Sequence, residues 1–333
     1  MSIVVRRENM RKLLLAIVFA SALGSVGSAG AQVYPSRPIT VIMPFAAGGP
    51  LDTIGRIMAE RMRVSLGQTV IIENVTGAAG SIAVGRVARA APDGYTLGIG
   101  SWATHVLNGA IYALQYDVLN DFEPVSLITT QPVLIVAKKS MPANDLKELI
   151  AWLKANPDKA TQGTAGAGSV LHVAGVFFQT ETGTRFQFVP YRGAAPAIQD
   201  LLAGQIDLIF DLAADALPQV RAGTIKAYAV TAKNRLAAAP DIPTVDEAGL
   251  RGFYVSNWQA FWVPKGTPKE VISKLNSAVV DALADPAVRL RLADLGQDFL
   301  PVEEQTPEAL GALQTAEIKK WWPIIKAANI KAE

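Results

Sequence analysis

The sequence predicts an α/β protein of two similarly built lobes, each a largely parallel sheet flanked by helices. Three observations carry that prediction. Short apolar runs alternate with amphipathic runs at helical spacing, which is the signature of βα units. The alternation comes in two series, one opening at Ile39 and the other at Val133. Two glycine-rich corners, residues 44–52 (PFAAGGPLD) and 163–172 (GTAGAGSVLH), each follow a strand-like run and precede a helix-like one.

The elements follow in order. Residues 39–43 (ITVIM) read as the first strand. A helix starts at Pro50, a favoured first helical residue, and Leu51, Ile54, Met58 and Met62 recur at helical spacing. Residues 70–72 read as a strand, 81–90 as a helix and 95–99 as a third strand. The second series opens with the strand 133–137 (VLIVA). Asp145 and Glu148 have capping-box spacing, and Leu146, Leu149, Ile150 and Leu153 line the helix behind them. Beyond the second corner come a helix at 169–180, a strand at 186–191, a helix at 196–203, a strand at 206–210, a short helix at 215–221 and a strand at 225–230. The proline-containing segment 239–252 reads as a loop, Thr267-Pro268-Lys269-Glu270 opens a helix, and the chain ends in helices. Seams fall near residues 129–131 and 252–256, and two crossings would let two lobes hinge around a shared cleft. The expected division is 32–130 with 254–333 as one lobe and 131–253 as the other.

The first 31 residues stand apart. Arg6, Arg7, Arg11 and Lys12 form a basic segment, an apolar run follows from Leu13, and Ala29-Gly30-Ala31 fits a cleavage site, so residues 1–31 read as an export signal, with Met10 as a second candidate start. The expectation is a periplasmic protein. Without those residues the chain holds 27 Lys and Arg against 28 Asp and Glu, a net charge of −1, which gives no support for a nucleic-acid surface. Cysteine is absent, which excludes disulfides, thiolate metal sites and a lipid-modified N-terminal cysteine. The two histidines, His105 and His172, are too few for a histidine-rich metal site. No metal or cofactor is implied.

The corners carry the chemistry. A strand-to-helix corner with glycines leaves backbone N–H groups bare at a helix N-terminus, where the dipole favours an anion. Gly48 and Gly49 serve either a tight turn or close backbone approach to a ligand, and on the second role Gly49→Val should abolish binding without unfolding the protein. Neither corner is a dinucleotide fingerprint or a Walker loop. Asp52, near the first helix start, reads as a loop-bracing or dipole-complementing carboxylate. Ser169 is open to two roles, helix cap and carboxylate donor. His172, in the first helical turn, reads as a neutral brace more than as a ligand contact. Tyr191-Arg192-Gly193 again joins a strand to a helix, and Arg192 is either a carboxylate clamp or a surface ion pair. Asp211 serves either a ligand amine or hydroxyl, or a cap. Trp102 and Trp258 could wall an apolar ligand.

Seven motifs in order resemble one family: Pro-Phe-x-Ala-Gly-Gly-x-x-Asp (44–52), Pro-Asp-Gly-Tyr-Thr-Leu (92–97), Tyr-Asp-x-x-x-Asp-Phe-Glu-Pro-Val (116–125), Gly-Ser-x-x-His-x-x-Gly (168–175), Val-Pro-Tyr-Arg-Gly-x-x-Pro-Ala (189–197), Gly-Gln-Ile-Asp (204–207) and Pro-Lys-Gly-Thr-Pro (264–268). Over essentially the whole exported chain they resemble the periplasmic substrate-binding proteins of tripartite tricarboxylate transporters, the Bug family. The resemblance implies a two-lobed, type II-like periplasmic binding-protein fold that closes on a carboxylate. It implies that Phe45, Ala46, Ala47, Gly48 and Gly49 hold one end of the ligand through amides and ordered waters. It implies that Thr164, Ala165, Gly166 and Ser169 hold the other carboxylate from the opposite lobe, and that the ligand passes to a two-component membrane permease. Gly175-Val176 departs from the Gly-Glu frequent there, on a helix, and the segment 101–105 is variable, so no ligand identity carries over.

The expectation is a monomeric solute-binding protein without chemistry of its own. Two rivals are a periplasmic sensor subunit for the same ligand and an exported serine hydrolase. The hydrolase lacks a Gly-x-Ser-x-Gly elbow, and Ser169 and His172 flank a helix cap, which is a poor nucleophile–base geometry.

Overall fold

The computed structural model describes residues 34–331, and the proposed export signal lies outside them. The chain divides at Ser36, and the unit from Arg37 onward carries every strand and helix among the described residues.

Two parallel sets of strands form its frame. In the first, β1 (Ile39–Met43) lies between β2 (Val70–Asn74) and β3 (Thr96–Ser101). Two further strands connect this set to the rest, β4 (Phe122–Lys138) and, late in the chain, β9 (Ser256–Pro264). In the second set, β5 (Thr161–Thr164) lies between β6 (Gln187–Pro190) and β7 (Leu208–Leu212). β9 runs antiparallel between β3 and β4. β4 pairs with β9 up to Pro132, and from Val133 it pairs with β7 and with β8 (Ile225–Val230). The fold is the expected α/β class, with each parallel core extended by antiparallel crossing strands.

Those crossing strands are where the sequence reading fell short. It began β4 at Val133, eleven residues late, and did not name β9 as a strand. Residues 122–132 hide their strand character because two prolines and several polar residues interrupt the pattern. The register shifts between Pro124 and Ser126 and again between Leu127 and Thr129. Such bulges let a strand tolerate proline and bend. Two buried polar residues of β4, Ser126 and Thr129, are paired. Ser126 Oγ bonds Gln305 O at 2.9 Å, and Thr129 Oγ1 lies 2.9 Å from both Gln259 Oε1 and Gln297 Oε1.

The helices are α1 (Pro50–Leu66), α2 (Ser81–Ala88), α3 (Asn108–Ile111), α4 (Leu146–Ala155), α5 (Val170–Thr182), α6 (Ala194–Leu202), α7 (Ala213–Arg221), α8 (Lys269–Ala284), α9 (Pro286–Asp294) and α10 (Pro307–Ala327). Those for which the sequence reading set bounds fall close to them, and α3 is one it did not name. The α4 cap forms as its spacing predicts. Asp145 Oδ1 accepts from Glu148 N at 2.8 Å, and Glu148 Oε2 accepts from Asn144 N at 2.7 Å. An aromatic chain links α10 to both strand sets. Trp102, just after β3, meets the Trp321 ring edge-on at 5.0 Å; Trp321 meets Phe177 of α5 at 4.9 Å; Phe177 stacks on Phe253 at 4.8 Å. Trp102 and Trp321 have no exposed surface. Burying such rings stabilises by roughly 2–3 kcal/mol each.

Candidate functional site

Four strand-to-helix corners stand at the carboxyl ends of parallel strands, the end where open α/β sheets take their ligands. The first runs from β1 to α1. Gly48 adopts φ +83°, and Gly49 caps the helix at φ −74°, ψ 167°. Asp52 is buried and turns back on this loop. Its Oδ2 accepts from Gly48 N at 2.9 Å and from Arg56 Nε at 2.8 Å, and its Oδ1 accepts from Asn74 Nδ2 at 2.8 Å. Asn74 Nδ2 also reaches Phe45 O at 2.8 Å. Burial alone would raise the Asp52 carboxyl, but the donations from Arg56, Asn74 and Gly48 outweigh it and bring it down to about 2. Asp52 therefore braces the loop and offers a ligand nothing.

The structure changes which amides are bare. Gly48 N is taken by Asp52, and Gly49 N donates to Ala46 O at 3.3 Å. The N–H groups of Ala46, Ala47, Leu51 and Asp52 meet no acceptor among the described residues. The glycines shape the loop and their neighbours present the donors.

The second corner joins β5 to α5 and repeats the pattern. Gly166 and Gly168 have φ +102° and +73°. Gly166 N donates to Thr164 Oγ1 at 3.3 Å, Ser169 N to Gly166 O at 3.2 Å, and Gly168 N to His172 Nδ1 at 3.0 Å. Ser169 Oγ accepts from His172 N at 3.3 Å, so Ser169 caps α5. The amides of Ala165, Ala167, Val170 and Leu171 have no acceptor among the described residues. Because His172 Nδ1 accepts, the ring is neutral with its proton on Nε2. Burial lowers its pKa further, and the ring edge meets Phe188 at 4.7 Å. His172 is a brace by this geometry. The loop also abuts α3, since a Cβ on Gly168 would lie 2.8 Å from Ile111 Cδ1.

The third corner joins β6 to α6. Tyr191 sends its hydroxyl away to Asp200 Oδ2, at 2.6 Å, and burial first and Asp200 second push the phenol up to about 12. Arg192 is exposed and makes no ion pair among the described residues. That removes the surface ion pair weighed for it. The fourth corner joins β7 to α7. Asp211 is wholly buried there, and burial first and Asp215 second push its carboxyl up to about 7.

A cavity of about 450 Å³ separates the first corner from the fourth, with Gly48, Pro50 and Thr53 on one side and Leu212, Ala214 and Asp215 on the other. The Thr164–Ser169 corner does not line it. The sequence reading took Asp211 from the fourth corner and passed over Leu212, Ala214, Asp215 and the nearby Gln131, because this corner has no glycine. The carboxyl end of a third parallel strand was the signal that would have found it. Trp102 corrects differently. Its ring is sealed in the core against Trp321, so it walls no open cleft in this structure, and Trp258 is likewise buried. A larger cavity, about 730 Å³, lies between α8, α10 and the start of β4, away from all four corners. No group of three or more histidine, aspartate or glutamate side chains stands ready for a metal among the described residues.

Residues 54–330 match the family described as the tripartite tricarboxylate transporter family receptor. The UPF0065 protein of the TAR-I ttuE-ttuC' intergenic region of Agrobacterium vitis is 39% identical over 330 residues, covering 98% of this chain and 94% of its own. The periplasmic binding protein BugD is 40% identical in its solved structure, with a TM-score of 0.72 over 90% of this chain and all of its own. MatC from Rhodopseudomonas palustris, solved with bound malate, is also 40% identical, with a TM-score of 0.73 over 88% of this chain and all of its own. The two-lobed fold, the bare amides at the corners and these similarities lead to one assignment: the chain belongs to the tripartite tricarboxylate transporter receptor family, and it is a solute-binding protein of the periplasmic type, not an enzyme.

Proposed function

We propose that this protein captures a small carboxylate in the periplasm, one solute per chain, and delivers it to the two-component permease of a tripartite tricarboxylate transporter. The carrying observation is the set of amides at the first two corners with no acceptor among the described residues, Ala46 and Ala47 on one and Ala165 and Ala167 on the other, with Arg192, which makes no ion pair among those residues, beside the second. Amides fixed at helix N-termini hold an anion without reorganising. In this reading residues 32–130 with 254–333 form one lobe and 131–253 the other. The solute sits between them, reached by the amide-bearing stretches of residues 45–49 and 164–169 and by Arg192. Asp52, His172 and Tyr191 brace these loops. The malate bound to MatC, a relative 40% identical, supports the carboxylate class.

A thermal-shift series on refolded, ligand-stripped protein tests this. Mono-, di- and tricarboxylates, acidic amino acids and aromatic acids are added in turn. A concentration-dependent rise in melting temperature with a carboxylate is the expected result. A folded protein that responds to no carboxylate would refute it. Arg192→Ala is expected to weaken binding of the best carboxylate by about 2 kcal/mol, the worth of a charge-assisted hydrogen bond, at unchanged melting temperature. Titration calorimetry reads the difference, and unchanged affinity would remove Arg192 from the site.

A further inference from the structure

Asp211 has no exposed surface, and its carboxyl is only half engaged. Oδ1 accepts from Leu212 N at 2.9 Å, while Oδ2 has no hydrogen-bond partner among the described residues. A buried carboxylate left this way is strongly disfavoured, so the group either carries a proton or awaits a donor.

Its place in the sheet says what lies beside it. The β5–β7 pairing runs through Gln162–Leu208 to Gly163–Ile209. Two residues beyond that pairing stand Ala165, just past the end of β5 where the second corner begins, and Asp211, still within β7. Paired strands lie about 4.8 Å apart, and Asp211 follows directly on that pairing, on the side of the sheet end where the second corner begins. Alternate strand residues share a face, which puts Asp211 on the side of Ile209. Ile209 packs in one cluster with Leu171 of α5 and Ala197 of α6. The carboxyl thus sits on the side where the helix following the second corner begins.

We infer that the solute binds together with a proton: Asp211, as the neutral acid, donates from Oδ2 to a carboxylate oxygen of the solute held at the second corner. The inference rests on the carboxylate reading above. The proton comes from solvent, and no covalent bond to the solute forms or breaks.

The charged groups on the surrounding elements leave this role open. On β4, Lys138 pairs with Asp207 at 2.6 Å, at the other end of β7. On α5, His172 Nδ1 is occupied by Gly168 N. On α6, Asp200 is occupied by the Tyr191 hydroxyl. On α7, Arg221 donates to Ala238 O at 2.7 Å. Asp215, in the first turn of α7, is the neighbour whose charge acts on Asp211, and it is negative. An anionic solute adds to the same push, so binding draws a proton onto the carboxyl.

Titration calorimetry with succinate, L-malate and adipate between pH 6 and 8.5, each in two buffers of different ionisation enthalpy, tests it. Affinity for the tightest of the three should fall about thirtyfold from pH 6 to 8.5, because only the protonated fraction binds, with net proton uptake at pH 8. Asp211→Asn stays neutral and keeps a donor, so it should hold its affinity across the range and take up no proton. Asp211→Ala should lose at least tenfold at pH 6. A flat wild-type profile overturns the inference, and so does uptake that persists in Asp211→Asn. Affinity that rises with pH also overturns it, since binding would then favour the ionised carboxyl over the acid. Failure of these three acids and of every other carboxylate in the thermal-shift series to bind at pH 6 would overturn the carboxylate reading itself and this inference with it, a result distinct from binding without proton uptake.

Discussion

Asp52→Ala should lose solute binding and melt at a lower temperature than the wild type. The side chain is the knot of the first corner. Three donors from three segments converge on its two oxygens: Gly48 N from the loop, Arg56 Nε from α1 and Asn74 Nδ2 from the end of β2. Alanine leaves the Gly48 amide unpaired and frees Asn74, which also holds Phe45 O. The loop that presents the Ala46 and Ala47 amides then has no fixed shape. Asp52→Asn should be nearly as damaging, because an amide has one accepting oxygen and would turn its NH2 towards donors. The stability at stake follows from the carboxyl, which sits at about 2 against an ordinary 3.8. That depression corresponds to about 2 kcal/mol. The folded-state value is the lower one, so this contribution is complete above pH 4 and is lost as the pH falls towards 2. Acid unfolding followed by circular dichroism should therefore show a shallower loss of stability between pH 4 and 2 in Asp52→Ala than in the wild type. Equal acid sensitivity in the two proteins would contradict this account. Arg56→Gln should cost less, since Arg56 is half exposed and solvent screens its charge.

The sequence made the parallel cores legible because their signals are local. The apolar run of β1, Pro50 at the start of α1, and Asp145 with Glu148 ahead of α4 each announce themselves within a few residues. The crossing strands could not be read this way. β4 is polar and proline-bearing over residues 122–132, and its partner β9 stands more than 100 residues away, so what stabilises the pair is long-range pairing. The same contrast divides the site. Glycine marked the first two corners as loops of unusual backbone, and Gly48, Gly166 and Gly168 do take positive φ. Glycine does not say which amides stay free, because that depends on Asp52 and His172 folding back four residues to take the amides of Gly48 and Gly168. The β7–α7 corner has no such marker. Its place opposite Gly48 comes from topology alone. Trp102 was offered as a pocket wall because a tryptophan after a strand is ambiguous, and its partner Trp321, 219 positions further on, decides the matter.

The two glycines of the first corner should respond to substitution in opposite ways. Gly48 stands at φ +83°, a conformation that costs an L-residue roughly 1–2 kcal/mol, and more for a β-branched one. Its chain neighbours aside, no atom of the described residues lies within 4 Å of where its Cβ would be, so strain, not collision, is the obstacle. To escape the strain a valine at position 48 must rotate the peptide whose N–H meets Asp52, and the loop loses its brace. Gly49 is already in extended backbone, φ −74° and ψ 167°, and a Cβ there would meet only Ala46 O at 3.4 Å. The structure therefore moves the expectation first attached to Gly49→Val onto its neighbour. Gly48→Val should lower carboxylate affinity at least tenfold, while Gly49→Ala stays within about threefold of the wild type, with far-ultraviolet circular dichroism unchanged in both. Calorimetry on the pair separates two ideas of the corner. If Gly49→Ala is the damaging change, the ligand itself crowds that position and the glycine is there for close approach. If Gly48→Val is, the glycine is there for backbone shape, and the anion is held by the amides of Ala46 and Ala47.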